Sequence, residues 1–216
     1  MVEVQIHGNL FEDTLIKNIT GYSKKEYEKY IKNGYSSSLD LHKGIFSNFN
    51  ASIKTTGGSV IGCGDIVRFM NHCKQDSFKL VIAKWEQINS NQKEYNKIYE
   101  FNFHPKFYST IFGNLDEETI RPFVDYVKSI PEGKKFQTIN QPIWKRKRDE
   151  IIKKTNTGLI RIDAKIDSKR QRRVQCSLNL IDLLNTEIEC SINNKDYQGI
   201  ILPYVVCSKK RKIKDT

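Results

Sequence analysis

No two cysteines of this 216-residue chain stand in a CxxC spacing, and the five present (Cys63, Cys73, Cys176, Cys190, Cys207) are odd in number and scattered. That excludes a disulfide framework and a cysteine-based structural zinc site, leaving reduced, mostly buried thiols as the expectation. The histidines (His7, His42, His72, His104) show no HxxxH or His-x-His spacing, so a histidine metal site or a Cys/His nucleophile pair has no support. Long apolar runs are missing too. None approaches the ~18 residues of a membrane span, and residues 1–10 have neither the basic start nor the apolar core of a signal peptide. No amphipathic anchor accompanies the charge, so membrane contact is not expected and a cytoplasmic protein is. Internal repeats, low-complexity tracts and long linkers are absent.

What the chain does have is positive charge, +11 overall, concentrated in two places. Residues 144–173 hold twelve Lys or Arg against four acids, and residues 208–216 hold five against one, so the remainder is close to neutral. A localised basic block is the footprint of a polyanion, and nucleic acid is the expected partner. At 25.2 kDa the chain is long enough to bury a real core.

Apolar spacing predicts a helix over 5–19, carrying Glu12, and Ser23 to Glu26 matches a capping box ahead of a short helix with Tyr27, Tyr30 and Ile31 as its buried stripe. Gly34 is its candidate C-cap. Residues 78–85 (FKLVIAKW) read as a central buried strand and 94–103 as an alternating strand beside it. Residues 116–128 read as a helix. Pro131, Gly133 and Pro142 punctuate a loop before a basic helix from 144, strands over 158–166 and 172–178, and a late strand over 200–207, where Pro203 argues for an edge or bulge.

The central stretch is residues 36–65, SSSLDLHKGIFSNFNASIKTTGGSVIGCGD. Residues 38–41 alternate as a half-buried strand, 50–56 form a second strand, and Gly57-Gly58 turns the chain into a third. The period of two puts Ser52 and Lys54 on one face and Ala51, Ile53 and Thr55 on the other. Asp65 then caps an amphipathic helix beginning at Ile66. An Asp on one strand and a Lys on the next can build a phosphodiester-cleaving site, the Asp holding a divalent metal and the Lys beside the attacking water.

This order of elements over residues 5–85, with the phrases SxxLDL, SIKTTG and CGDIVRF, resembles the PD-(D/E)xK nuclease core, and in particular type II restriction endonucleases. The phrase KIDSKRQRRVQCSL resembles stretches in predicted restriction enzymes. The resemblance implies an α/β fold with a central mixed β-sheet flanked by helices, and a basic, strand-rich C-terminal part. Residues 1–140 would form the nuclease core and 141–216 a DNA-recognition part packed on it as one body. It implies Mg²⁺ as cofactor, no organic cofactor, double-stranded DNA as partner and a homodimer. It makes Asp40, Lys54 and Ser52 the catalytic positions, although Ser52 stands where the family has its second acid. A serine hydroxyl is a poor ligand for a hard cation. Asp65, slightly ahead of Glu12, and also Glu86 are the candidates to supply that carboxylate beside Asp40. DNA contacts are expected from Lys145, Arg146, Lys147, Arg148, Lys169, Arg170, Gln171, Arg172, Arg173 and Gln175. Arg173 and Gln175 are placed as base readers on the outward face of their strand. A non-specific repair, recombination or nicking nuclease, or a non-catalytic DNA-binding protein, is the alternative.

Overall fold

The computed structural model describes residues 3–31, 39–89, 92–166, 171–194, 196–197, 200–201 and 205–206. Gly34, Ser38, Lys169, Arg170, Pro203, Cys207 and the basic tail 208–216 therefore lie outside the described residues. In chain order the elements are α1 (Glu3–Thr20), α2 (Lys24–Tyr27), β1 (Ala51–Thr56), β2 (Val60–Asp65), α3 (Ile66–Gln75), β3 (Phe78–Asn89) and β4 (Gln92–Phe103). There follow α4 (Tyr108–Phe112), α5 (Glu117–Ser129), α6 (Lys134–Thr155), β5 (Arg161–Ile166), β6 (Arg172–Asn179), α7 (Leu180–Leu184) and β7 (Cys190–Asn193). Short strands β8 (Asp196–Tyr197), β9 (Ile200–Ile201) and β10 (Val205–Val206) come last. These elements cluster into two units, one of Met1–Ser59, Ser77–Phe103 and Ile188–Thr216, the other of Val60–Asp76 and His104–Glu187. The division does not fall near residue 140: the segment 141–187 clusters with 60–76 and 104–140. Among the described residues no helix is long and apolar enough to cross a membrane.

The first unit is built on a mixed sheet. β1 pairs with β3 in parallel, β3 with β4 antiparallel, and the far side of β4 takes both β7 and β10 antiparallel. α1 lies on one face because its apolar spacing puts Phe11, Leu15 and Ile16 on a single stripe, all buried against Ala51, Ile53, Val81 and Ala83. On the opposite face Leu80, Ile82 and Phe101 are buried as well, which is why β3 reads as an almost continuous apolar run. The strand expected over 38–41 reduces to one bridge, Leu41 to Ala51. The capping box at Ser23 is present, but α2 lasts four residues before tightening, and Tyr30 is 52% exposed rather than buried.

The hairpin expected at Gly57-Gly58 does not form. β2 belongs to the second unit and pairs antiparallel with β6, Ile61 opposite Leu178. On β1 itself β3 runs along one side, and residues 40–41 bridge to Ala51 at the start of the other. Gly57 is needed for another reason: a Cβ there would sit 2.5 Å from the Trp85 ring. Gly57→Ala is expected to lower stability by about 1–3 kcal/mol through overpacking, measured as a shift in urea midpoint at unchanged slope.

The second unit holds the antiparallel sheet β2–β6–β5, with α5 packed on β6 and α6 beside β5. Val174, Cys176 and Leu178 are buried, confirming the alternation read in this strand. The loop expected around Pro131–Pro142 is largely helix, because α6 starts at Lys134 and carries Pro142 within it. Pro142 and Thr138, whose carbonyl loses its helical donor there, are both solvent-exposed, so water can serve that carbonyl.

Candidate active site

Three side chains from separate elements meet at the unpaired edge of β1. Leu41 and Ala51 exchange both backbone hydrogen bonds, at 3.0 and 2.9 Å, and Asp40 N–H donates to the Ala51 carbonyl at 2.8 Å. Beyond that point the ladder is continued by a side chain: Ile53 N–H donates to Asp40 Oδ2 at 2.6 Å. Lys54 Nζ donates to the same oxygen at 3.1 Å and to the Ile53 carbonyl at 3.0 Å. The segment after Asp40 is pinned from α2, where Tyr27 Oη accepts from His42 N–H at 2.8 Å.

Glu12 completes the group. Its neighbours Phe11, Leu15 and Ile16 fix the rotation of α1, and its carboxyl shares a hydrogen bond with Asp40. Lys24 at the start of α2 reaches Glu12 Oε2 at 2.7 Å while its backbone N–H donates to Asp13 Oδ1, also at 2.7 Å. The two carboxyls respond oppositely. Burial pushes Glu12 up to about 7, the negative charge of Asp40 adds to this, and Lys24 opposes it. For Asp40, burial also works upward, but Lys54, the Ile53 N–H and the Glu12 hydrogen bond outweigh it and hold the carboxyl below its ordinary value. The pair therefore keeps a proton to higher pH than an ordinary carboxyl does, and Glu12, the raised member, is the carboxyl that favours it.

Of the expected positions, Asp40 and Lys54 are thus brought together, and Glu12 joins them. Ser52 is buried on the same face of β1 as Lys54. Asp65, the favoured second acid, is the N-cap of α3 in the second unit, accepting from Arg68 N–H at 3.1 Å. Glu86 is exposed on β3, opposite Glu94. Among the described residues no three His, Cys, Asp or Glu side chains gather as a metal site, so the carboxyl donors here number two.

The basic candidates divide. Lys145 and Arg146 face solvent, Arg146 lying 3.9 Å from Glu150. Lys147 stands 5.0 Å from the Tyr126 ring centre, and Arg148 is tied to Asp149 and Asp163 at 2.8 and 2.7 Å. Gln171 is exposed, and its carbonyl accepts from Arg172. Arg172 also donates to the carbonyls of Ile130 and Pro131, both at 3.0 Å, capping the end of α5. Arg172→Ala is therefore expected to cost about 1–3 kcal/mol of stability, read by denaturant melting. Arg173 and Gln175 do lie opposite the apolar face of β6. However, β6 is the central strand of its sheet, and the row is half-buried, with Gln175 paired between Asp65 and Asp163.

Two features were missed in the sequence. Lys24 carries no signal beyond opening the capped helix. Tyr22, Tyr30 and Phe46 form a cluster with ring centres 4.8–5.5 Å apart, half-exposed at Phe46, whose φ of 53° is strained for a bulky side chain. Their separation in sequence gives no periodicity to find. Comparison with family models, with curated proteins and with solved structures finds no match.

Proposed function

We propose that this protein is a Mg²⁺-dependent endonuclease that hydrolyses phosphodiester bonds of double-stranded DNA at specific sites, in the manner of a type II restriction enzyme, with a PD-(D/E)xK-like core in its first unit. The observation that carries this reading is the convergence of Glu12, Asp40, Lys54 and the Ile53 carbonyl at one strand edge. Glu12 from the first helix takes the place of the acid that the motif lacks at Ser52.

The donor set suits Mg²⁺, which is commonly held by one or two carboxylates and completed by water and substrate phosphate. Two carboxyls close enough to share a proton are also a pair that a divalent cation relieves of mutual repulsion. Asp40, Glu12 and the Ile53 carbonyl would hold it. When bound, it stabilises the charge developing on the phosphate and lowers the pKa of a coordinated water. Asp40 orients Lys54 through the 3.1 Å contact, and Lys54 offers positive charge to the phosphate as a water oxygen bonds to phosphorus and one ester P–O bond breaks. The solvent-facing Lys145 and Arg146 supply phosphate contacts, and a homodimer would cut both strands.

Purified protein incubated with phage DNA and Mg²⁺ tests the reading. Discrete fragments are the expected result. A smear identifies a nuclease without sequence preference, and Mg²⁺-independent binding without cleavage identifies a DNA-binding protein and removes the enzyme assignment.

A further inference from the structure

In the second unit α6 does not close onto β5. Positions 137, 138, 141 and 144 recur at helical spacing along the side of α6 that faces the strand, where an apolar stripe would ordinarily sit. Here they are Gln137, Thr138, Gln141 and Trp144. One turn further on, Arg148 is tied to Asp163 at 2.7 Å, which fixes that end of the helix against β5. Between them lies a cavity of about 260 Å³ floored by Ala164 and Ile166. Thr138 Oγ1 is committed to the Lys134 carbonyl, whereas the amides of Gln137 and Gln141 have no hydrogen-bond partner among the described residues.

We infer that this cavity receives a single unstacked nucleobase, adenine above the others, from the DNA on which the protein acts. An amide offers a donor and an acceptor side by side, which matches the N6 and N7 edge of adenine. Trp144 supplies an aromatic wall for stacking, and the apolar floor accommodates the ring. The volume lies just under the ~300–1,000 Å³ typical of drug-sized ligands, which suits one flat heterocycle. Among the described residues no carboxylate lines the cavity, and Lys134 stands at it to meet a phosphate. The glutamines line a concavity rather than a convex ridge, so a base leaves its stack to reach them.

The inference rests on the reading of the protein as one that acts on DNA, and the experiment separates the two. A fluorescein-labelled single-stranded oligonucleotide is titrated with the full chain in Ca²⁺, and each base is replaced in turn by an abasic residue. Loss of one adenine is expected to weaken binding about tenfold or more. The same abasic change should have no effect in Trp144→Ala and little in Gln137→Ala/Gln141→Ala, while Trp144→Phe retains most of it. A flat abasic scan, or an abasic penalty unchanged in Trp144→Ala, overturns the base pocket even where DNA is bound and cut. Absence of any DNA binding by the unaltered protein overturns both the pocket and the nuclease reading.

Discussion

Asp40→Asn is expected to reduce DNA cleavage by about 10²–10³-fold or more while the protein stays folded and binds DNA in Ca²⁺. The amide is nearly isosteric and its oxygen can still accept from Ile53 N–H, so the strand edge keeps the bond that closes it at 2.6 Å. What disappears is the charge that orients Lys54 and would hold the metal. Single-turnover cleavage with saturating Mg²⁺ measures the loss, and circular dichroism with a urea melt verifies the fold. Cleavage within a fewfold of the unaltered protein sinks the assignment of Asp40.

Glu12→Gln should move stability and activity in opposite directions. In the folded protein Glu12 is raised to about 7 from an ordinary 4.5. A raised acid contributes stability that is fully present below its unfolded pKa and is lost as pH climbs through the folded value. The penalty therefore grows between about pH 4.5 and 7 and is complete above. Glutamine has no proton to lose. The variant is expected to match the original protein near pH 4, then exceed it at pH 8 by on the order of 3 kcal/mol, for a side chain 14% exposed. On the proposed function, cleavage should fall by orders of magnitude, and a rise in melting temperature with added Mg²⁺, expected for the original protein, should be absent in the variant. A variant that is less stable at pH 8, or that cuts normally, would show Glu12 to be a structural acid held by Lys24.

Helices α1, α3 and α5, the buried strands β3 and β4 and the pair Asp40–Lys54 were legible because each rests on a local signal: an apolar period, a cap, or two residues placed on neighbouring segments. The partner of β2 was not legible. Gly57-Gly58 carries the turn chemistry of a hairpin, but Ile61 finds its burial opposite Leu178, more than a hundred residues away, and no local pattern encodes such a pairing. Asp65 illustrates the same limit. Its position at the start of α3 is read as a cap and also offered as the second acid, and the hydrogen bond from Arg68 N–H shows the capping role. The placement of Glu12 beside Asp40 is not legible locally, because it depends on the rotation of α1, which is set by the burial of Phe11, Leu15 and Ile16. For α6, Pro142 read as a break because proline removes a helical hydrogen bond. Exposure to water makes that loss tolerable.

The outer side of β4 carries one further consequence, for the protein during its synthesis. Glu12, Asp40 and Lys54 have all been made once β1 is complete, and β3 and β4 follow by Phe103. Yet the strand that pairs with Ile98 to Phe101 is Cys190–Asn193, about ninety residues later. At translation rates of ~5–20 residues per second, a nascent chain carries that sheet edge uncovered for roughly 5–20 s. Its amide and carbonyl groups are then open to other strands, so losses during expression should arise here and be relieved by slower synthesis or chaperone supply.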